Sequence, residues 1–305
     1  ATTLNVGTSY AGQKAAGYIS AALLEGVTLG NGAIDIKQNV KYKEVMKTLS
    51  TSDDLIADGS CDFDATSTIT IAERFLEPAE MQVNLEFCKS SFASDWEAIE
   101  LGYSAHENVP KTFSDYLIGH VASKVAGNME TMIWQEETKF VGFEKILTDA
   151  ADSVKVVGQA IDASNVVDEL GKVTDAIPAR MFGQEALTIF VSQNVAKAYV
   201  RALGGFGAQG LGANGLDGKG STWFNGQALS FEGYNLFVAN GISDNTMVAG
   251  VADNFAFGTG LLSDHNEVRL LDMAPIDGSK NVRVIMRFTA GVQVGITADA
   301  VIYSV

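Results

Sequence analysis

The longest regular pattern of apolar residues in the chain lies between Pro110 and Gly142. Thr112 can cap the start of a helix in this stretch, and Gly142 can end it. The apolar residues recur every four positions, as on one face of an amphipathic helix, at Phe113, Leu117, Val121, Val125, Met129 and Ile133. The pattern therefore predicts a long helix over residues 112–141.

This periodicity fits two roles for the helix. It can be a core helix of a mixed domain, which is the commoner case, or a structural spine with a separate sheet region on each side. A spine helix keeps one face polar. We expect that exposed face to include Ser114, Lys124 and Glu130, and to look toward a surface or a neighbouring molecule.

Upstream of the helix, two segments alternate in part between apolar and polar residues. They cover residues 34–49 and 61–75, and an acidic turn separates them. This pattern predicts a long hairpin of two strands. Neither strand is apolar enough to be covered on both faces, so we expect the hairpin to project from the body. An isolated pair of strands is only marginally stable, and the hairpin therefore implies a partner surface.

Downstream of the helix, strands alternate with amphipathic helices. Asn165 and Ser192 are candidate N-caps, and the segment ALTIFV is apolar throughout, as in a strand buried on both faces. The predicted elements are a strand at 154–157, a helix at 166–177, a strand at 186–191 and a helix at 193–203. Together they indicate a layered α/β unit.

Further strands are predicted from alternation on both sides of these elements. The clearest is VRVIMRFT, in which every second residue is apolar. The predicted strands cover residues 79–88, 227–238, 246–251, 267–273, 282–289 and 300–303.

Composition adds limits on size and partners. The chain has 305 residues, 47% hydrophobic and 19% charged, which fits one large or two ordinary folded domains. Its 37 acidic and 21 basic residues give a net charge of −16, which disfavours nonspecific binding of nucleic acid as a primary activity. No apolar run approaches the roughly 20 residues that span a bilayer. We therefore expect a soluble intracellular protein without a membrane partner.

A glycine-rich segment at 204–220 contains the spacing of a dinucleotide-binding loop. Such a loop follows a strand and opens a helix, whereas this segment follows a predicted helix and precedes a predicted strand. We therefore interpret it as a surface loop and predict no cofactor. The two GxGxxG matches are Gly205, Gly207, Gly210 and Gly210, Gly212, Gly215.

Other candidate chemistry is sparse. The histidines His106, His120 and His265 are too widely spaced for a zinc site. Cys61 and Cys88 are too few for a disulfide framework and are interpreted as small buried residues. There is no GxSxG nucleophile motif. We therefore predict no catalytic residue and no enzymatic activity.

The hairpin turn carries a run of acidic residues that could attract a divalent cation. The run lacks the spacing of an EF-hand, so a solvated hairpin tip is the preferred interpretation, and no metal site is predicted. The residues are Asp53, Asp54, Asp58, Asp62 and Asp64.

Taken in order, the predicted elements resemble the major capsid proteins of tailed bacteriophages, which have the Hong Kong 97-type fold. The segment ALTIFVSQNVAKAYVRAL resembles a strand and helix of the family's axial domain. Three segments resemble the closing strands of the family: LSFEGYNLFVANGISDNTMVAG, FAFGTGLLSDHNEVRLLDM and NVRVIMRFTAGVQVGITADAVIYS. The similarity of layout covers nearly the whole chain.

This resemblance implies an α+β fold with five regions. They are an N-terminal arm at 1–30, an extended loop at 31–75, a peripheral domain at 76–149 with the spine helix at 112–141, an axial domain at 150–265, and closing strands at 266–305.

The resemblance also implies a structural function. Copies of the chain would form pentamers and hexamers of an icosahedral head around double-stranded DNA, with scaffolding, portal and decoration proteins as further partners. Assembly would take place in the host cytoplasm and the product would be the virion. Some members of the family join a loop lysine to an asparagine of a neighbour, for which the candidates here are Lys37, Lys41, Lys43 and Lys47.

Two alternatives remain at this point. An encapsulin, which encloses an enzyme instead of DNA, shares the same fold. A two-domain carbohydrate-binding or carbohydrate-active protein belongs to a different class and requires a pocket with paired carboxylates or stacked aromatic residues.

Overall fold

The computed structural model describes most of the chain outside the N-terminal residues and several internal segments. At residues 51, 111–118, 120, 122 and 269 it describes the backbone only. The described residues are 27–51, 56, 58, 68–88, 111–184, 186–203, 229–260 and 269–305.

Helices and strands are mixed along the described residues, in agreement with the predicted α+β class. The helices are α1 Val27–Gly30, α2 Lys111–Gln135, α3 Phe143–Asp149, α4 Val166–Asp175, α5 Gln193–Leu203 and α6 Ala274–Asp277. The strands are β1 Asp35–Lys37, β2 Glu44–Thr51, β3 Ile69–Leu76, β4 Ala79–Cys88, β5 Val154–Val157, β6 Leu187–Val191, β7 Leu229–Phe231, β8 Tyr234–Val238, β9 Met247–Val251, β10 Phe255–Gly258, β11 Arg269–Asp272, β12 Asn281–Val294 and β13 Val301–Ser304.

The first sheet is organised around strand β12, which is 14 residues long. Strands β10 and β11 pair with different parts of β12, β1 extends the sheet beyond β10, and β4 pairs with β12 from Ala79 to Cys88. Val282, Val284, Met286 and Phe288 are buried, as the alternation predicts. This sheet therefore has one face in the core and one polar face.

The second sheet has the strand order β5-β13-β9-β6-β8-β7. Strand β6 is central: it pairs parallel to β8 and antiparallel to β9, and four of its five side chains are buried. The helix α5 connects β6 to the region before β8. The predicted central strand, covered on both faces, is thus confirmed.

Side chains of the second sheet point alternately into two hydrophobic clusters. Ile189 and Val191 pack with helices α4 and α5, whereas Phe190 between them packs with the long helix α2 and the first sheet. The same division holds in β9, where Val248 faces the long helix and Ala249 faces the other side. A strand exposes successive side chains on opposite faces, so one strand can serve both clusters.

The predicted long helix is present, but it ends earlier than predicted. Helix α2 stops at Gln135 instead of residue 141 because Glu136 forms a tight turn. Its carboxylate accepts hydrogen bonds from the backbone N–H groups of Thr138 and Lys139, at 3.0 and 3.2 Å. Gly142 does not end α2; it immediately precedes α3, where a side chain would lie 2.6 Å from the carbonyl oxygen of Trp134.

The two faces of α2 are only partly as predicted. Val121, Val125, Met129 and Ile133 of the apolar stripe are buried, and Lys124 is exposed. Glu130 is the exception. We expected it on the exposed polar face, but it is 4% exposed. The side chains of Phe113, Ser114 and Leu117 lie outside the described residues.

Several other boundaries also differ from the prediction. The single strand predicted at 227–238 is interrupted by a turn at Glu232 and Gly233, both with positive φ, which separates β7 from β8. Helix α4 ends at Asp175, and β12 extends to Val294. Strand β10 is absent from the elements that the alternation predicts, because all four of its residues are buried and show no alternation.

The capping residues act differently from the prediction. Asn165 precedes α4 but forms no side-chain capping hydrogen bond; its Oδ1 accepts from the backbone N–H of Asp162. Ser192 precedes α5, and its hydroxyl donates to Oδ1 of Asn194 at 2.5 Å. These side chains therefore order the chain that leads into each helix.

We predict that Glu136→Gln lowers the free energy of unfolding by about 1–2 kcal/mol at pH 7, the range of a capping carboxylate. Hydrogen bonds from Thr138 lower the pKa of Glu136 from 4.5 to about 2. The stabilisation is therefore present above pH 4.5 and is lost as the pH falls toward 2. Urea unfolding of both proteins at several pH values should show their difference shrinking across this range. The exposed Glu137→Gln serves as control; a constant difference would contradict the prediction.

Candidate assembly surface

The hairpin predicted upstream of the long helix is formed by β2 and β3. Its first strand begins later than the predicted residue 34, because residues 35–37 form β1 and pair with β10 of the first sheet instead. The two strands pair antiparallel from Glu44 opposite Leu76 to Thr51 opposite Ile69. Within the described residues they form a sheet of their own, with no third strand. The backbone groups along both outer edges therefore have no strand partner within that part of the chain.

One face of this hairpin is mainly apolar and exposed to solvent, with the Lys47–Glu73 rung lying between its two apolar rungs. The pairing places Leu49 opposite Ile71 and Val45 opposite Phe75, with Ile69 on the same face. Leu49, Ile69 and Ile71 are 66%, 64% and 62% exposed. We call the five residues Val45, Leu49, Ile69, Ile71 and Phe75 the apolar hairpin face.

The opposite face of the hairpin is polar. Thr48 lies opposite Ala72, and Ser50 lies opposite Thr70. The hydroxyls of Thr48 and Ser50 reach carbonyl oxygens of the facing strand at 3.4 and 3.5 Å. The hairpin thus has two chemically different faces, and the solvent-exposed apolar one needs an explanation.

The hydrogen bonds and ion pairs that join the hairpin to the body involve its base. Arg74 donates to the hydroxyl of Thr297 at 2.7 Å, and the backbone oxygen of Phe75 accepts from Gln293 at 2.8 Å. Glu44 pairs with Lys37 at 3.0 Å. Leu76 is fully buried at this base. The rungs farther out are held mainly by the pairing of β2 with β3.

Buried carboxylates are a second feature of the structure, and the sequence patterns do not predict them. Glu169 of α4 is 1% exposed. It accepts hydrogen bonds from Lys172 at 2.8 and 2.9 Å, from the hydroxyl of Tyr303 at 2.8 Å and from Gln159 at 3.3 Å. Burial raises the pKa of Glu169, but these donors outweigh burial and lower it. The carboxylate therefore ties α4 to β13.

Glu144 forms a comparable link at the start of α3. It accepts from the backbone N–H and the hydroxyl of Ser243, both at 2.7 Å, and so connects α3 to the loop between β8 and β9. Burial raises the pKa of Glu144, and the bonds from Ser243 partly oppose this shift. In both cases the carboxylate oxygens accept hydrogen bonds from other protein groups. The role of Glu169 and Glu144 is therefore to join elements of the fold.

Comparisons with known proteins give matches at the level of structure. No family model matches the sequence, and no curated protein matches it. The capsid of an empty GTA particle superimposes with a TM-score of 0.60 at 15% identity, over 90% of this chain and 94% of that one. The capsid of Myoviridae Phage XM1 gives 0.56 at 11% identity, over 91% of both chains.

A third match is a virus-like particle from Pyrococcus furiosus. It has a TM-score of 0.54 at 10% identity and covers 94% of this chain and 98% of that one. This chain has a phage capsid fold. The α+β fold of Hong Kong 97 type, predicted from the sequence, is thereby confirmed.

Within this capsid fold, three of the four candidate cross-linking lysines form ion pairs. Lys37 pairs with Glu44 at 3.0 Å, Lys43 with Glu77 at 2.6 Å, and Lys47 with Glu73 at 4.0 Å. Lys41 is exposed before β2. These contacts lie within one chain and do not test a bond to a neighbour, so cross-linking by any of the four lysines stays a prediction.

The other residues considered from sequence are described only in part. Cys88 ends β4 and is half-buried, and Asp58 of the acidic run is exposed. His120 lies in α2 with only its backbone described. The remaining candidates lie outside the described residues: His106, His265, Cys61, Asp53, Asp54, Asp62, Asp64 and the glycine-rich segment 204–220.

The described part of the capsid fold contains no group of three or more His, Cys, Asp or Glu side chains arranged to hold a metal ion. None of its helices is both long enough and apolar enough to cross a membrane.

We predict that Tyr303→Phe lowers the free energy of unfolding by about 1–3 kcal/mol at neutral pH, because buried Glu169 loses a hydrogen bond. Burial and Glu169 raise the pKa of Tyr303 from 10 to about 12. The stabilisation is therefore complete below pH 10 and is lost as the pH rises to 12. Denaturant unfolding of the parent protein and of Tyr303→Phe at pH 7, 10 and 11.5 measures this difference in the free energy of unfolding. Tyr42→Phe, at a side chain 86% exposed, should change little; an equal effect would refute the assignment.

Proposed function

We propose that this chain is the subunit of a phage head: it assembles into pentamers and hexamers of an icosahedral shell that encloses double-stranded DNA. The capsid fold supports this role, since each reported match covers at least 90% of the chain. The observation that carries the proposal further is the apolar hairpin face, because it is a surface that association would cover.

The energetics of that face favour contact with a second copy. Full burial of a leucine or isoleucine side chain contributes about 1.5–3 kcal/mol, and about two thirds of Leu49, Ile69 and Ile71 is exposed. Covering these three side chains would therefore contribute a few kcal/mol per hairpin. Each subunit of a closed shell offers one such hairpin and receives another, so the contribution is repeated at every contact.

The proposed subunit keeps the regions expected from the sequence. Residues 1–30 form the arm, 31–75 the extended loop, 76–149 the peripheral domain, 150–265 the axial domain and 266–305 the closing strands. The net charge of −16 supports an inner wall that lets DNA enter without binding it tightly. Scaffolding, portal and decoration proteins would be its further partners, the virion its location and the host cytoplasm its place of assembly.

A second candidate is the shell of a protein compartment of encapsulin type. The match to the virus-like particle from Pyrococcus furiosus, which covers nearly all of both chains, favours it. The two candidates share the same assembly and differ in contents. Nucleic acid inside particles isolated from their source supports the phage head, whereas a co-purifying enzyme supports the compartment.

We predict that the purified chain forms closed shells with five-fold and six-fold units visible by electron microscopy. Analytical ultracentrifugation over a range of concentrations measures the same equilibrium in solution. A protein that stays monomeric at high concentration, alone and with its co-expressed scaffolding partners, would refute the proposed function.

We further predict that the double variant Leu49→Thr, Ile71→Thr raises the concentration needed for assembly at least tenfold, which corresponds to about 1.4 kcal/mol per contact. Threonine keeps a high strand propensity, so the hairpin should still form. The matched control is Ser50→Val with Thr70→Val, one rung away on the opposite face. If the control impairs assembly and the first variant does not, the apolar hairpin face is not the contact surface.

A further inference from the structure

The buried carboxylate of Glu130 binds the short helix α1 through Thr28. Its Oε2 accepts the backbone N–H of Thr28 at 3.0 Å, and its Oε1 accepts the Thr28 hydroxyl at 2.5 Å. The indole N–H of Trp134, one turn further along α2, donates to the same hydroxyl at 3.1 Å. Glu130, Thr28 and Trp134 are 4%, 0% and 0% exposed.

Within the described residues, the carboxylate of Glu130 is buried without a neighbouring cation. Among the described side chains, no lysine, arginine or histidine forms an ion pair with Glu130, and both of its donors belong to Thr28. A buried carboxylate that loses its hydrogen-bond donors is strongly destabilised. The segment around Thr28 therefore cannot leave α2 unless water reaches Glu130 at the same time.

The same turn of α2 is held from the other side. Gly241, in the loop between β8 and β9, lies so close to the helix that a Cβ would be 2.0 Å from the backbone oxygen of Glu130. The side chain of Gln135 donates to the carbonyl of Gly241 at 2.7 Å. Helix α2 is thus held in place at this turn, so the contact with Thr28 has a fixed position.

Two apolar side chains close to Thr28 in sequence are buried in the cluster that includes helix α2. Leu29 and Ile34 are 3% exposed and belong to the cluster that contains Val125 and Met129. Helix α1, with four residues, is too short to be stable alone. Its position depends on these contacts and on the hydrogen bonds to Glu130.

We propose that Glu130 and Thr28 form a latch that fixes α1 and the segment up to Ile34 against α2, and that correct assembly requires this placement. Glu130 is thus a positioning residue: its side chain is buried within the chain and acts through Thr28. The second part of the proposal rests on the proposed function, whereas the latch itself is a property of the single subunit.

The test uses the full chain with a matched pair of substitutions. Thr28→Val keeps the shape of the side chain and removes the hydroxyl, whereas Thr28→Ser keeps the hydroxyl. Hydrogen exchange on unassembled protein should show amides of residues 27–34 exchanging at least ten times faster in the valine variant, and nearly unchanged in the serine variant. Exchange in the Glu130→Gln variant should be as fast as in the Thr28→Val variant. The control Thr131→Val changes an exposed threonine of the same helix, and its amides should exchange as in the parent protein.

Particle formation by the same variants separates the two parts of the proposal. Equal exchange in the valine and serine variants would overturn the latch, whether or not shells form. Fast exchange with normal, regular shells would overturn the requirement for assembly and leave the proposed function intact. If the parent protein forms no shells, the proposed function fails, and the exchange data still decide the latch. The expected result is fast exchange together with few or irregular particles.

Discussion

Strand β6 sits where two hydrophobic clusters meet, and its alternating side chains belong to both. Ile189 and Val191 hold helices α4 and α5, and Phe190 holds the long helix α2 and the first sheet. Both faces of the strand are covered, so a polar residue at any of these positions would be buried without a partner. The relative position of the α/β unit and the rest of the described chain therefore depends on this strand and on its neighbour β9, which divides its side chains in the same way.

The aromatic residues next to Phe190 explain why the long helix acts as a spine. Trp134 of α2 lies 5.2 Å from Phe190 and 5.3 Å from Phe143 of α3, between ring centroids, and Phe255 of β10 closes the group. Three elements, α3, β6 and β10, thus converge on the C-terminal end of one helix. The boundary near residue 150 proposed from the sequence separates two regions of the chain, but the core on the α2 side of the sheet crosses it.

How much of this fold the sequence could predict follows from the range of the interactions involved. Strand β5 and helix α5 have the predicted bounds because alternation and a local stop signal determine them. Strand β10 is buried on both faces and leaves no alternation to detect. The burial of Glu130 depends on Thr28, about one hundred positions away, and no local pattern contains that contact. The hairpin was predictable as a pair of strands, whereas the identity of its apolar face required the register.

The apolar hairpin face has a thermodynamic consequence for any shell that covers it. Removing apolar surface from water gives association a negative heat capacity change, and this driving force weakens on cooling. A head built largely on such contacts is held together less firmly near freezing than at growth temperature. Storage in the cold, a routine way to preserve proteins, would then work against the integrity of these particles.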